Sequence, residues 1–187
     1  MPLKDFQEPT SWAVGETINA DLWTERVHEP VSLLLRRPLT IARRTADQSI
    51  PSGSVQTVIN WQTLDIDSDG MVIDDTASTW TLFYAQRDGV YSVYCALPFE
   101  SNTDQGIRTN LIYIFINGVQ QCRKEAAVFG GGSTQDNWRS LNADINLSEG
   151  DTLSFYAMNT NGTFALNIKA QFNAPRCIIA WKRPLGS

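Results

Sequence analysis

The sequence predicts an all-β sandwich or jelly roll preceded by a short helical arm. Three observations carry this. From about residue 50 onward the apolar residues recur with period two, turn pairs such as Asn117-Gly118 separate the runs, and no long helical period appears. Alternation marks a strand because successive side chains point to opposite faces of a sheet.

Phe164, Leu166, Ile168, Ala170 and Phe172 fall on one side of the most regular run, and Tyr91, Val93, Cys95 and Leu97 on one side of another. Residues 55–61, 80–84, 141–147 and 153–158 are shorter candidates. Residues 111–116 and 177–181 are apolar without interruption, which predicts strands covered on both faces. The outer face of a two-sheet sandwich normally meets water, so these two runs predict contact with another subunit. Asn117-Gly118 and Asn161-Gly162 read as hairpin turns, and Asp88-Gly89, residues 149–151 and the glycines at 130–132 punctuate the rest. Many short strands without a long helix give the sandwich class.

The chain divides into an arm, residues 1–45, and a β domain, residues 46–187. Six basic and six acidic side chains leave the arm neutral, so the β domain carries the whole formal charge of -5. That sign argues against a nucleic-acid partner. At 42% hydrophobic and 19% charged residues, the chain is too apolar for whole-chain disorder. No apolar run approaches the roughly 18 residues of a membrane span. The first twelve residues hold no apolar h-region, so neither a membrane partner nor a secretory signal is expected.

Within the arm, residues 15–28 read as a short helix with Leu22, Trp23, Arg26 and Val27 on one face. Thr17 or Asn19 can cap its start, and Pro30 biases Glu29 away from helix. Leu33 and Leu34 belong to a second apolar patch, and Arg36, Arg37, Arg43 and Arg44 cluster around Pro38. These patches are too small to build a core of their own, so they are expected to pack on a partner surface. The arginines suit docking onto acidic side chains, because the guanidinium fork pairs a carboxylate bidentately.

The most chemical-looking stretch is Asp65-Ile66-Asp67-Ser68-Asp69-Gly70. Asp65, Asp67 and Asp69 sit at alternate positions before a glycine, as in the opening of a Ca2+ loop. Thr76 stands where the bidentate glutamate would be, and strands rather than helices flank the stretch, so a solvated acidic loop competes with the ion site. No other cofactor is implied. A single histidine, His28, argues against hydrolytic triads and histidine metal centres. Cys95, Cys122 and Cys177 are odd in number and far apart in sequence, which suggests neither a disulfide framework nor a zinc site. Trp138, Phe129 and Tyr156 could stack on a sugar, although core packing is the commoner fate of aromatic side chains.

Four segments occur in a telling order: residues 89–94 (Gly-Val-Tyr-Ser-Val-Tyr), residues 114–120 with Asn117-Gly118, residues 147–153 (Leu-Ser-Glu-Gly-Asp-Thr-Leu) and the apolar run 177–181. This order resembles the complement C1q/tumour-necrosis-factor-like jelly roll over residues 46–183. Residues 10–40 resemble the head segment of small virion proteins of tailed bacteriophages, in which such an arm precedes a C1q-like knob. The two resemblances together imply a homotrimeric virion structural protein, assembled in the host cytoplasm. Its partners would be the major capsid protein or other virion proteins.

The implied function is binding rather than catalysis. In one form the protein is a capsid decoration protein or head fibre, anchored through Leu22, Trp23, Arg26, Val27, Leu33, Leu34, Arg36, Arg37, Arg43 and Arg44. In the alternative form it is a minor tail protein whose knob binds a receptor or a host-surface glycan. The chain carries no stalk repeat or heptad, which favours the head. No pair of acids can be assigned to one catalytic site, which disfavours a glycan-cleaving enzyme.

Overall fold

A computed structural model describes residues 37–68, 70–72, 79–100, 107–129, 137–160, 165–170 and 175–185, with the side chains of 107, 108, 123–129 and 137 outside that description. The described residues form twelve strands: β1 (Leu39–Arg43), β2 (Gln48–Ile50), β3 (Thr57–Val58), β4 (Thr63–Asp67), β5 (Phe83–Tyr84), β6 (Gly89–Phe99), β7 (Ile107–Ile116), β8 (Val119–Phe129), β9 (Asn137–Leu147), β10 (Thr152–Asn159), β11 (Leu166–Ile168) and β12 (Arg176–Arg183). The first sheet runs β2-β11-β6-β12-β1-β4, with β9 also paired to β6. The second runs β3-β10-β7-β8, with β5 beside β10. The predicted all-β sandwich is the observed architecture. The arm helix lies outside the described residues.

Alternation decides what enters the core. Tyr91, Val93, Cys95, Leu97 and Phe99 of β6 face Ile112, Ile114 and Ile116 of β7 and Leu153, Phe155 and Ala157 of β10. Trp61 and Phe83 pack edge-on against Phe155, with ring centroids 5.6 and 6.0 Å away. Burying each large apolar side chain stabilises the fold by about 1.5–3 kcal/mol before entropy costs.

The Asn117-Gly118 turn forms as predicted. Both residues have positive φ, 50° and 75°, and they join the antiparallel pair β7 and β8. Asn117 also ties two of the sequence motifs together. Its Nδ2 donates to Asp151 Oδ1 at 2.7 Å, and its Oδ1 accepts from the Thr152 N–H at 2.8 Å. The Asn161-Gly162 expectation of a second hairpin needs correction. Asn161-Gly162 itself lies outside the described residues, but the preceding strand, β10, belongs to the second sheet and the following one, β11, to the first, so the two do not pair as a hairpin. A turn dipeptide specifies a local reversal; the pairing of its flanks is decided by where each strand buries its apolar side.

The arm boundary also moves. β1 lies within the segment read as arm, yet it is an interior strand of the first sheet between β12 and β4. Its five residues alternate core and surface, with Thr40 and Ala42 fully buried. Leu39–Arg43 is therefore part of the sandwich, and the expected boundary at residue 45 does not fall between arm and sandwich; residues 1–36 lie outside the described residues.

A β-bulge shapes the edge strand β4. Ala42 pairs with Leu64 and Ile41 with Ile66, so Asp65 is the extra residue. In a regular strand Leu64 and Ile66, two residues apart, would share a face. With the bulge, Leu64 packs on the core and Ile66 turns outward, 41% exposed.

Candidate interaction surface

The outer face of the first sheet is the distinctive surface. The register places Ile66, Ile41, Ile178, Tyr94 and Asn142 in one lateral row across β4, β1, β12, β6 and β9. Their strand neighbours Thr40, Ala42, Val93, Cys95, Cys177 and Ile179 are buried, so by alternation this row points away from the core. The next row carries Leu39, Ala180, Ser92 and Asp144. The row on the other side carries Arg43, Arg176, Ala96 and Ser140. The central row is thus apolar over β4, β1, β12 and β6 and polar over β9, with Arg43, Arg176 and Ser92 in the rows beside it.

Charge rims it. Arg43 pairs with Asp65, its Nη2 donating to Oδ1 at 2.6 Å and its Nε 2.5 Å from Oδ2, and that carboxylate raises the Arg43 pKa. Lys182 reaches Asp144 at 2.8 Å, and chiefly this hydrogen bond holds the Asp144 carboxyl below the usual carboxylate range. Ile41, Ile178, Leu39, Ala180 and Tyr94 are half-buried. Of the two runs expected to be covered by another subunit, 177–181 therefore presents an open apolar outer side. In 111–116 the outer Leu111 and Tyr113 are already 1% and 3% exposed within the single chain, so that expectation is corrected there.

The outer face of the second sheet is aromatic. Phe115 packs on Tyr156 with centroids 4.5 Å apart and on Tyr113 at 6.3 Å. Trp138 lies on the opposite sheet, on β9, so Trp138 and Tyr156 do not share a sugar-stacking surface; the side chain of Phe129 lies outside the described residues. A cleft of about 400 Å³ opens where β9 passes the β7–β8 hairpin, lined by Ile116, Gln121, Cys122, Asp144, Ile145 and Asn146. Its carboxylate, Asp144, is the one already bound to Lys182.

The predicted anchor residues separate. Leu22, Trp23, Arg26, Val27, Leu33, Leu34 and Arg36 lie outside the described residues. Arg37 is exposed just before β1. Arg43 is spent on Asp65. Arg44 is a correction: it is 3% exposed, donates to the carbonyls of Asn60 and Ala46 (2.9 Å to the latter), and cannot dock on a partner. Burial lowers its pKa, with Asp47 opposing that effect. A four-arginine strip is therefore not formed, because the sheet takes its last two members.

The acidic stretch is similarly divided. Asp65 is held by Arg43, and Asp67 accepts from Thr40 Oγ1 and from the N–H groups of Met71 and Val72 at 2.7, 3.0 and 3.1 Å. Asp69 lies outside the described residues. Among the described residues no group of three His, Cys, Asp or Glu is placed to hold a metal ion, and no helix is long and apolar enough to cross a membrane.

The sequence does not single out Ile41, which stands among the arm residues, or Ile66, whose aspartate neighbours point to an ion site instead. The usable signal was the uninterrupted run 177–181, which contributes Ile178 and Ala180.

No known protein-family profile matches the chain, and no curated protein sequence does. Among solved structures it is similar to murine APRIL at pH 5.0 and at pH 8.5, with TM-scores of 0.53 and 0.51, each at 10% identity over 79% of this chain and 100% of that one. The fold is a TNF-like jelly roll. Eiger TNF from S. frugiperda is a further neighbour, with a TM-score of 0.49 and 12% identity over 81% of this chain and 96% of that one. Identity of 10% carries the TNF-like fold and leaves function to be argued from the residues.

Proposed function

We propose that the chain is a non-catalytic structural protein of a tailed-phage virion: a homotrimeric TNF-like knob held on the capsid surface by the segment up to and including Arg37. The observation that carries the reading is the outward row Ile66, Ile41, Ile178 and Tyr94. Such a face gains by self-association, because covering each large apolar side chain is worth up to about 1.5–3 kcal/mol before association costs. Jelly rolls of the kind this fold resembles assemble as trimers. Threefold association would present three arms together, so that a weak single grip becomes a lasting one through effective concentration.

The phage setting rests on the resemblance of residues 10–40, and so does the assignment of Leu22, Trp23, Val27 and Arg36 to the anchor. The major capsid protein is the partner this reading names, and the assembled particle is its location.

The full chain should sediment as a trimer, and Ile178→Glu should give folded monomers. In particle binding, the protein should coat empty heads in many copies, and Arg36→Glu with Arg37→Glu should abolish coating while leaving the knob folded. A monomeric wild-type chain overturns the knob assembly. Few copies per particle with loss of host adsorption on deletion would instead make it a minor tail protein.

A further inference from the structure

We propose that Cys95 and Cys177 are a latent disulfide site, a dithiol that an oxidised low-molecular-weight thiol such as glutathione disulfide converts, before the sheets close over it, into a covalent tie between β6 and β12. The register makes the two residues direct cross-strand partners in an antiparallel pair. Opposed residues in such a pair have Cα atoms about 4.5–5.5 Å apart, inside the roughly 4.4–6.8 Å range that a disulfide spans. Both side chains point the same way, since both are fully buried on the core side of the first sheet. Both are free thiols. Ala42 flanks Cys177 across β1, and Leu141 flanks Cys95 across β9, so the row around the sulfurs is apolar. Nothing in the linear sequence announces the pair, because 81 residues separate the two cysteines.

Burial raises the pKa of both thiols, and the neighbouring Cys95 adds to the rise at Cys177. The thiolate is the reacting species, so the folded core protects the dithiol and the reaction belongs to the chain before the sheets close. One cysteine thiolate attacks a sulfur of glutathione disulfide; a mixed disulfide forms and one glutathione thiolate leaves. The second cysteine thiolate then attacks the protein sulfur of that mixed disulfide, closing the Cys95–Cys177 bond and releasing the second glutathione. Two electrons pass from the protein dithiol to glutathione disulfide, and the two cysteine protons end on the released glutathiones. The tie fastens the last strand to the middle of its sheet and closes a long loop, which constrains the unfolded chain.

The test uses the full chain carrying Cys122→Ser, refolded from denaturant with glutathione disulfide or with excess reductant. Expected are no alkylatable thiol in the oxidised sample, a linked peptide containing both cysteines, and a Tm several degrees above that of the reduced sample. A further Cys95→Ala change should remove the difference between the two conditions. Two alkylatable thiols after oxidative refolding, or a disulfide form melting at or below the reduced one, overturns the proposal. If Cys122→Ser fails to fold, wild-type protein alkylated at Cys122 in the native state and then taken through the same cycle gives the same readout.

Discussion

Gly89 lies directly against the indole of Trp181, whose Nε1–H donates to the Asp88 carbonyl at 3.2 Å. A β-carbon on Gly89 would collide with that ring and stand 2.8 Å from the carbonyl oxygen of Arg183, which is backbone and cannot swing away. The glycine of the Gly-x-Tyr motif is thus required for space, so that the tryptophan can close over the start of β6. Gly89→Ala should cost about 1–3 kcal/mol as an overpacked site. A lowered urea midpoint with an unchanged m-value would show it, and an unmoved midpoint would refute the packing argument.

Asp67 acts as a clamp. Its carboxylate collects three donors, two of them backbone N–H groups of the buried residues Met71 and Val72. Asp67→Ala should destabilise the fold by about 1–3 kcal/mol, the scale of leaving buried donors unpaired. The loss should be the same in calcium and in chelator, measured by Tm. A calcium-dependent Tm in the wild type that disappears in the variant would restore the ion-site reading.

Stability should fall on acidification partly through Asp47. Lys169 Nζ donates to it at 2.6 Å and the Ala170 N–H at 2.7 Å, and these two hydrogen bonds, in that order, lower its pKa. A carboxyl whose folded pKa is depressed stabilises the fold above its unfolded pKa, and that contribution is lost as pH falls through the folded value. Wild type should therefore exceed Asp47→Asn in stability at neutral pH, by a modest amount because the group is half exposed. The two should converge below the ordinary carboxylate range. Denaturant midpoints across that range provide the check, and a gap independent of pH would count against the ion pair.

Asn117 combines a backbone and a side-chain role, and the two can be separated. Its φ of 50° is left-handed, and its side chain bonds Asp151 and Thr152. Asn117→Gly keeps the backbone freedom and loses the bonds; Asn117→Ala loses both. The alanine variant should be the less stable by about 1–2 kcal/mol, the left-handed penalty of a residue with a β-carbon. Equal stabilities by thermal melts would mean the turn relaxes.

The local pattern of residues was enough to establish the β class, the runs that became β6, β7, β9, β10 and β12, and the Asn117-Gly118 reversal. These depend on nearest neighbours in sequence: a period of two needs only a sheet and a core side. The longest alternating run, 164–172, supplied only the short strand β11 among the described residues, since a pattern cannot say how much partner it will find.

Other features exist only between distant segments. Ile41 and Ile66 become one surface with Ile178 because a bulge at Asp65 turns β4, and Arg44 leaves the docking strip because the carbonyls of Asn60 and Ala46 lie beneath it. Cys95 and Cys177 meet because β12 enters the sheet beside β6. Composition and periodicity determine which side of a strand is apolar. Which strand lies next to it, and so which side chains become neighbours, is settled by the closure of the two sheets over a shared core.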